Sequence, residues 1–230
     1  MNITASKVIR WSGIAAIIAG IIFAGIQPIH PPDVLASVGT RIWSIIMPLK
    51  LTMCLLFLVS ITGFYARHVE KIGWLGLIGF VLFSISWWLQ TGYVFVETLV
   101  LPSLTTAAPQ YVESVLGIIN GVPGTMTIGA LPMIYNVGSM LYLLGSLLFG
   151  IAMFRARIMP RWAAGLFAFS GPLAIVMVAL LPHQLERLAA MPMGLALGWL
   201  GYALWSEQST HLAHDVVTKG NQQFVQTTTK

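Results

Sequence analysis

Charge is scarce in this chain. Asp, Glu, Lys and Arg make up 8% of its 230 residues, whereas a soluble domain usually carries about a quarter. With 57% hydrophobic residues, that shortage excludes an ordinary water-soluble fold and points to an integral membrane protein. Cysteine is rarer still. Cys54 stands alone, which rules out an intrachain disulfide and a cysteine-built metal cage. The net charge of +5 raises the question of a nucleic-acid partner, but the basic residues are scattered between apolar runs and form no stripe or patch. They read as topology signals, with the lipid bilayer as the partner and no nucleic acid.

The long apolar runs set the architecture. A helix needs about 20 apolar residues to cross a bilayer, and six segments meet that requirement, near residues 11–29, 43–66, 72–96, 132–154, 162–181 and 188–206. The predicted fold is all-α, a polytopic bundle of six spans filling residues 1–206. The first run, Trp11 to Ile29, exceeds a typical signal core and is followed by no small-residue cleavage site, so it is expected to be a retained helix. An even number of spans puts both ends of the bundle's chain on one side. Nine of the 12 Lys and Arg residues (Lys7, Arg10, Arg67, Lys71, Arg155, Arg157, Arg161, Lys219 and Lys230) fall on that side, leaving Arg41, Lys50 and Arg187 on the other. The positive-inside rule then makes the termini cytoplasmic, in a bacterial inner membrane. Trp11, Trp74, Trp162 and Trp205 mark the inner edge, and Trp43, Trp87 and Trp88 the outer one.

Two segments fall outside the spans. The outer connection 98–131 carries Pro102, Pro109, Pro123 and the turn-like Asn120–Gly124, with 111–119 apolar enough for an interfacial helix. Residues 207–230 form a polar tail of disordered composition. His211, His214 and Asp215 in that tail have helical spacing suited to a metal. Small residues recur where helices could approach closely, as at Gly194 and Gly198. Pro172 is expected to kink the fifth span.

No recognised catalytic or cofactor signature is present, and the span centres hold no ionisable side chain, which disfavours a proton-coupled pump. Polar groups collect toward the outer ends. The first run closes in IQPIHPPD and the fifth in LLPHQLER. If those ends meet, His30, Asp33, Glu97 and His183 form a candidate metal or acid-base cluster, with a divalent metal as the implied cofactor. A second candidate set, a polar pocket, is Lys50, Gln90, Tyr93, Tyr135 and Asn136. Lys50 is expected to snorkel outward or to pair with Glu97, which 25 uncharged residues, about 37 Å of helix, carry to the outer interface. Three functions are compatible with this pattern. The leading one is a non-enzymatic accessory, scaffold or ligand-binding component, associated with other membrane subunits or a lipid-like ligand. The alternatives are a metal-assisted hydrolase of lipid or headgroup at the outer leaflet, and a transporter of a small neutral solute.

Overall fold

The computed structural model describes residues 4–122, 124–181 and 183–207; the polar tail, with His211, His214 and Asp215, lies outside them. Among the described residues the chain is all helical, without strands. Its main helices are α1 (Ala5–Ile26), α2 (Arg41–His68), α3 (Gly73–Phe95), α4 (Pro109–Asn120), α5 (Leu131–Ala156), α6 (Arg161–Leu180) and α7 (191–207). Six segments are long and apolar enough to cross a membrane: Ala5–Ile29, Arg41–His68, Gly73–Leu104, Leu131–Ala156, Arg161–Val178 and Leu185–Glu207.

Helix starts follow ordinary capping chemistry. The Thr4 and Thr40 hydroxyls accept from the backbone N–H groups of Lys7 and Trp43, closing the first turns of α1 and α2. Within the spans, Ser60, Thr62, Thr91 and Thr98 donate to the carbonyls of Leu56, Leu58, Trp87 and Val94, each one turn back. These polar residues satisfy themselves locally and need no partner across the bundle.

Glycine lets the helices approach. A methyl group at Gly20 would lie 2.5 Å from the Gly194 carbonyl oxygen, and one at Gly201 would lie 2.6 Å from that of Gly13. Hence α1 and α7 touch backbone to backbone, the packing that replaces a hydrophobic drive in lipid. α3 and α6 both pack along α5, with Phe83 and Phe167 also meeting each other.

The end of α3 is less regular than its composition suggests. The helix continues through a π-helical turn, Val96–Val100, into Leu101–Leu104. In that turn the Leu101 N–H reaches back five residues to the Val96 carbonyl. The next donor in the pattern would be residue 102, a proline with no N–H. The freed Glu97 carbonyl instead accepts from the Trp43 indole at 3.2 Å.

α4 lies over this end of the bundle. Val112, Val115 and Leu116 are buried while Glu113 is exposed, a one-sided pattern with helical spacing. The helix stops at Gly121, whose φ of 65° suits glycine, and Val122 donates back to the Gly117 carbonyl. Two side chains tie it down: the Tyr93 hydroxyl donates to the Val115 carbonyl at 2.9 Å, and the Asn120 amide to the Asp33 carbonyl at 2.8 Å.

The tryptophans depart from the simple belt pattern. Trp11, Trp74, Trp88 and Trp162 are exposed as belt residues would be, but Trp43 and Trp87 are 1% and 4% exposed. An indole N–H placed inside the bundle has to find an acceptor there. Trp43 has one in Glu97, and so serves the interior instead of the interface.

Candidate functional site

The polar residues at the α4 end divide into two ion pairs around a cavity. Lys50 on α2 reaches Glu97 at 2.8 Å, with the Glu97 side chain fully buried and Lys50 at 14% exposure. Lys50 therefore turns inward, not outward to the headgroups, because the π-helical turn holds Glu97 inside the bundle. The second pair joins the α1–α2 connection to the segment before α7: Arg187 donates to Asp33 at 2.5 Å, with the Asp33 side chain fully buried. In a low-dielectric interior such pairs persist because separating either partner leaves a stranded charge.

His30 sits between these pairs. Its Nδ1 lies 2.7 Å from the Pro31 carbonyl. Burial, and then the positive charges of Lys50 and Arg187, press its pKa down from 6.5 to about 4, against the opposing pull of Asp33. The ring is thus neutral at physiological pH, with its proton on Nδ1, since a carbonyl can only accept.

The cavity measures about 940 Å³. Lys50, His30, Arg187 and Gln27 line its polar end; Phe23, Met53, Trp87, Tyr142, Leu143 and Ile175 make up much of its apolar wall. Trp87 anchors the wall, stacked on Phe57 at 3.7 Å and meeting Phe23 edge-on at 5.9 Å. Exposed Trp88, Phe95, Met140 and Ile175 are also lining residues, so the cavity reaches the outer surface of α3, α5 and α6. Its volume falls within the range of drug-sized ligand sites, and its composition, mostly apolar with a few converging polar groups, is typical of them.

The residues singled out from the sequence distribute as follows. Lys50, Gln90, Tyr93 and Tyr135 line the cavity, while Asn136 is exposed on α5 and is not part of its lining. His30 lines it too, and Asp33 and Glu97 stand behind Arg187 and Lys50. His183 begins the short helical segment His183–Ala190, but its side chain lies outside those described. Among the described residues no three His, Cys, Asp or Glu side chains converge as a metal-binding group; each buried carboxylate faces a cation instead. Sequence reading missed Trp87, Phe23 and Tyr142 as cavity wall, since nothing in their spacing separates an inward aromatic from a core one. It also missed Arg187 as the counter-ion of Asp33, 154 residues away.

The opposite end of the bundle is built differently. Arg67 forms a two-pronged pair with Glu207, tying α2 to α7, and its Nε lies 3.1 Å from the carboxylate. Arg10 lies over Trp205, and Arg161 over Phe154. Lys71, Arg155, Arg157 and Arg161 are exposed.

Comparison with protein-family models, with curated proteins and with solved structures finds no match.

Proposed function

We propose that this chain is a non-enzymatic, six-span membrane protein that binds an amphipathic, lipid-like ligand in the cavity between α1, α2, α3, α5 and α6. The observation that carries this reading is the coincidence of a cavity of about 940 Å³ with a polar end and an apolar wall that reaches the lipid-facing surface. A ligand could enter sideways from the bilayer, apolar part along Trp87 and Tyr142, head toward His30 and the ion pairs. The chain lies in a bacterial cytoplasmic membrane with both termini inside, a placement favoured by the excess of Lys and Arg at the Arg67 end. Ligand binding also suits an accessory or scaffold role within a larger membrane assembly.

The hydrolase reading is weaker on geometry. It needs Asp33 and Glu97 to face a shared centre, and both are held by Arg187 and Lys50. The transporter reading draws on a path past Gln90, Tyr93 and Asn136; Gln90 and Tyr93 line the cavity, while Asn136 is exposed on α5 and outside the lining.

The test is native mass spectrometry of the full chain extracted in mild detergent, beside Gly138→Trp. A Cβ added at Gly138 meets only Leu89 within 4 Å, at 3.8 Å or beyond, and Gly138 lines the cavity. The expected result is a co-purifying amphiphile on the native protein and its loss in the variant. A bare protein that takes up no added lipid would refute the reading.

A further inference from the structure

Both ion pairs at the cavity end are oriented the same way. Glu97 and Asp33 have fully buried side chains, while Lys50 and Arg187 keep 14% and 32% of theirs exposed. Both cations line the cavity, and neither carboxylate does. The oxygens left over in the pairs, Glu97 Oε1 and Asp33 Oδ1, are closed off inside the bundle. Each pair is therefore a dipole with its positive end toward the cavity.

The cations also have hydrogen-bonding capacity to spare. An ammonium carries three N–H donors and a guanidinium five. Lys50 gives one bond to Glu97 Oε2, and Arg187 engages Asp33 through Nη2, so most of their donors remain for another acceptor. Tyr135 adds a hydroxyl: it lines the same cavity and makes no hydrogen bond among the described residues. The charges of Lys50 and Arg187 both bear on Tyr135 and on His30, which gathers these side chains at one end of the cavity. His30, neutral at physiological pH, adds no charge of its own.

Spare donors on two cations favour an acceptor, and an ionised one most, because charge-assisted hydrogen bonds are roughly twice as strong as neutral ones. The planar guanidinium fits the oxygens of a carboxylate or phosphate in particular. A cationic head would meet Lys50 and Arg187 with no carboxylate oxygen in the lining to receive it. An ester head could accept, but without the assistance of charge.

Resting on the ligand-binding function proposed above, we infer that the cavity takes a single-chain amphiphile with an oxyanion head, the carboxylate of a fatty acid or the phosphate of an alkyl phosphate. Its head oxygens accept from Arg187, Lys50 and Tyr135, while Asp33 and Glu97 stay paired behind the two cations. Its tail lies along Trp87 and Tyr142. No bond is made or broken; the chemistry is recognition alone.

The experiment is a set of titrations of the full chain in mild detergent with oleate, oleyl phosphate, methyl oleate and oleylamine, which share a tail and differ in head. At least one of the two anions should bind about 10-fold or more tighter than methyl oleate and oleylamine, the value of one charge-assisted hydrogen bond. The tighter of the two identifies the head as carboxylate or phosphate. Tyr135→Phe removes one hydroxyl, and Arg187→Lys keeps a charge opposite Asp33 but loses the fork. Each should weaken that anion by about 10-fold and leave methyl oleate unchanged. The comparison of heads on the native chain decides the matter even if a variant folds poorly. Methyl oleate or oleylamine binding as tightly as both anions overturns this inference while leaving the ligand-binding proposal intact. Native affinity for the anion in both variants also overturns it. Absence of binding by all four lipids, with no co-purifying amphiphile, removes both.

Discussion

The two ends of the bundle handle charge in opposite ways. At the cavity end, the side chains of Asp33 and Glu97 are fully buried, and each has a cation as its partner. At the other end, the Arg67 and Glu207 side chains keep 27% and 29% of their exposure, and Lys71, Arg155, Arg157 and Arg161 are exposed. Exposed charge contributes little to stability and much to orientation in a membrane. Buried charge is held by the fold, and it fixes the geometry of whatever it surrounds. In the proposed reading the comparison separates topology from recognition, with the exposed charges of one end setting orientation and the buried pairs of the other framing the cavity.

Removing one partner of the Lys50–Glu97 pair should have the largest effect. Glu97→Gln or Lys50→Met leaves a buried charge stranded and is expected to cost about 3–5 kcal/mol. The double variant Lys50→Met/Glu97→Leu should recover most of that loss, as a thermal-melt double-mutant cycle in detergent would measure. Single variants no worse than an Arg67 substitution would erase the distinction between the ends.

Acid should weaken the cavity end next. Because the folded-state pKa of His30 is lowered to about 4 from 6.5, the unfolded chain takes up a proton below pH 6.5 that the folded chain refuses until about pH 4. The His30 contribution is therefore flat above pH 6.5, and stability falls as pH drops through the window from 6.5 to 4, by about 2–3 kcal/mol. Asp33, Lys50 and Arg187 face the same ring, so the comparison is with His30→Gln, whose melting temperature should lose that slope. A parallel pH profile in the variant would assign the slope to another group.

Asp33→Asn should cost less, about 2 kcal/mol, because Arg187 keeps 32% of its side chain exposed and water can answer its charge. The smallest change belongs to the other end: Arg67→Gln is expected to stay within about 1 kcal/mol of the native stability in the same melts. A larger loss there than at Asp33 would reverse the comparison.

Much of the bundle was legible in the sequence because length and apolarity dictate spans directly. Six apolar runs lead to six helices long and apolar enough to cross a membrane, and the Gly194–Gly198 spacing announced a close helix contact that α1 supplies. Lys50 and Glu97 stood out as isolated charges near the same end of neighbouring apolar runs, so their pairing was among the readings open from sequence. The π-helical turn was hidden, since the first charge after 25 uncharged residues looked like a helix end. Glu97 instead lies inside a segment that runs to Leu104. The cavity wall was hidden for a different reason. An outer-edge tryptophan has the same sequence signature whether it faces headgroups or turns inward, and only the packing of Phe23, Phe57 and Phe83 around Trp87 settles which. Arg187 and Asp33 are too distant in sequence for any local pattern to join them.

The most direct test of the central claim is electron cryo-microscopy of the full chain reconstituted in nanodiscs of its native lipids. Recognition at the buried-charge end predicts elongated density lying along Trp87 and Tyr142, with its head beside His30 and the intact Lys50–Glu97 pair. A cavity closed by its own side chains, or density only at the Arg67 end, would contradict it.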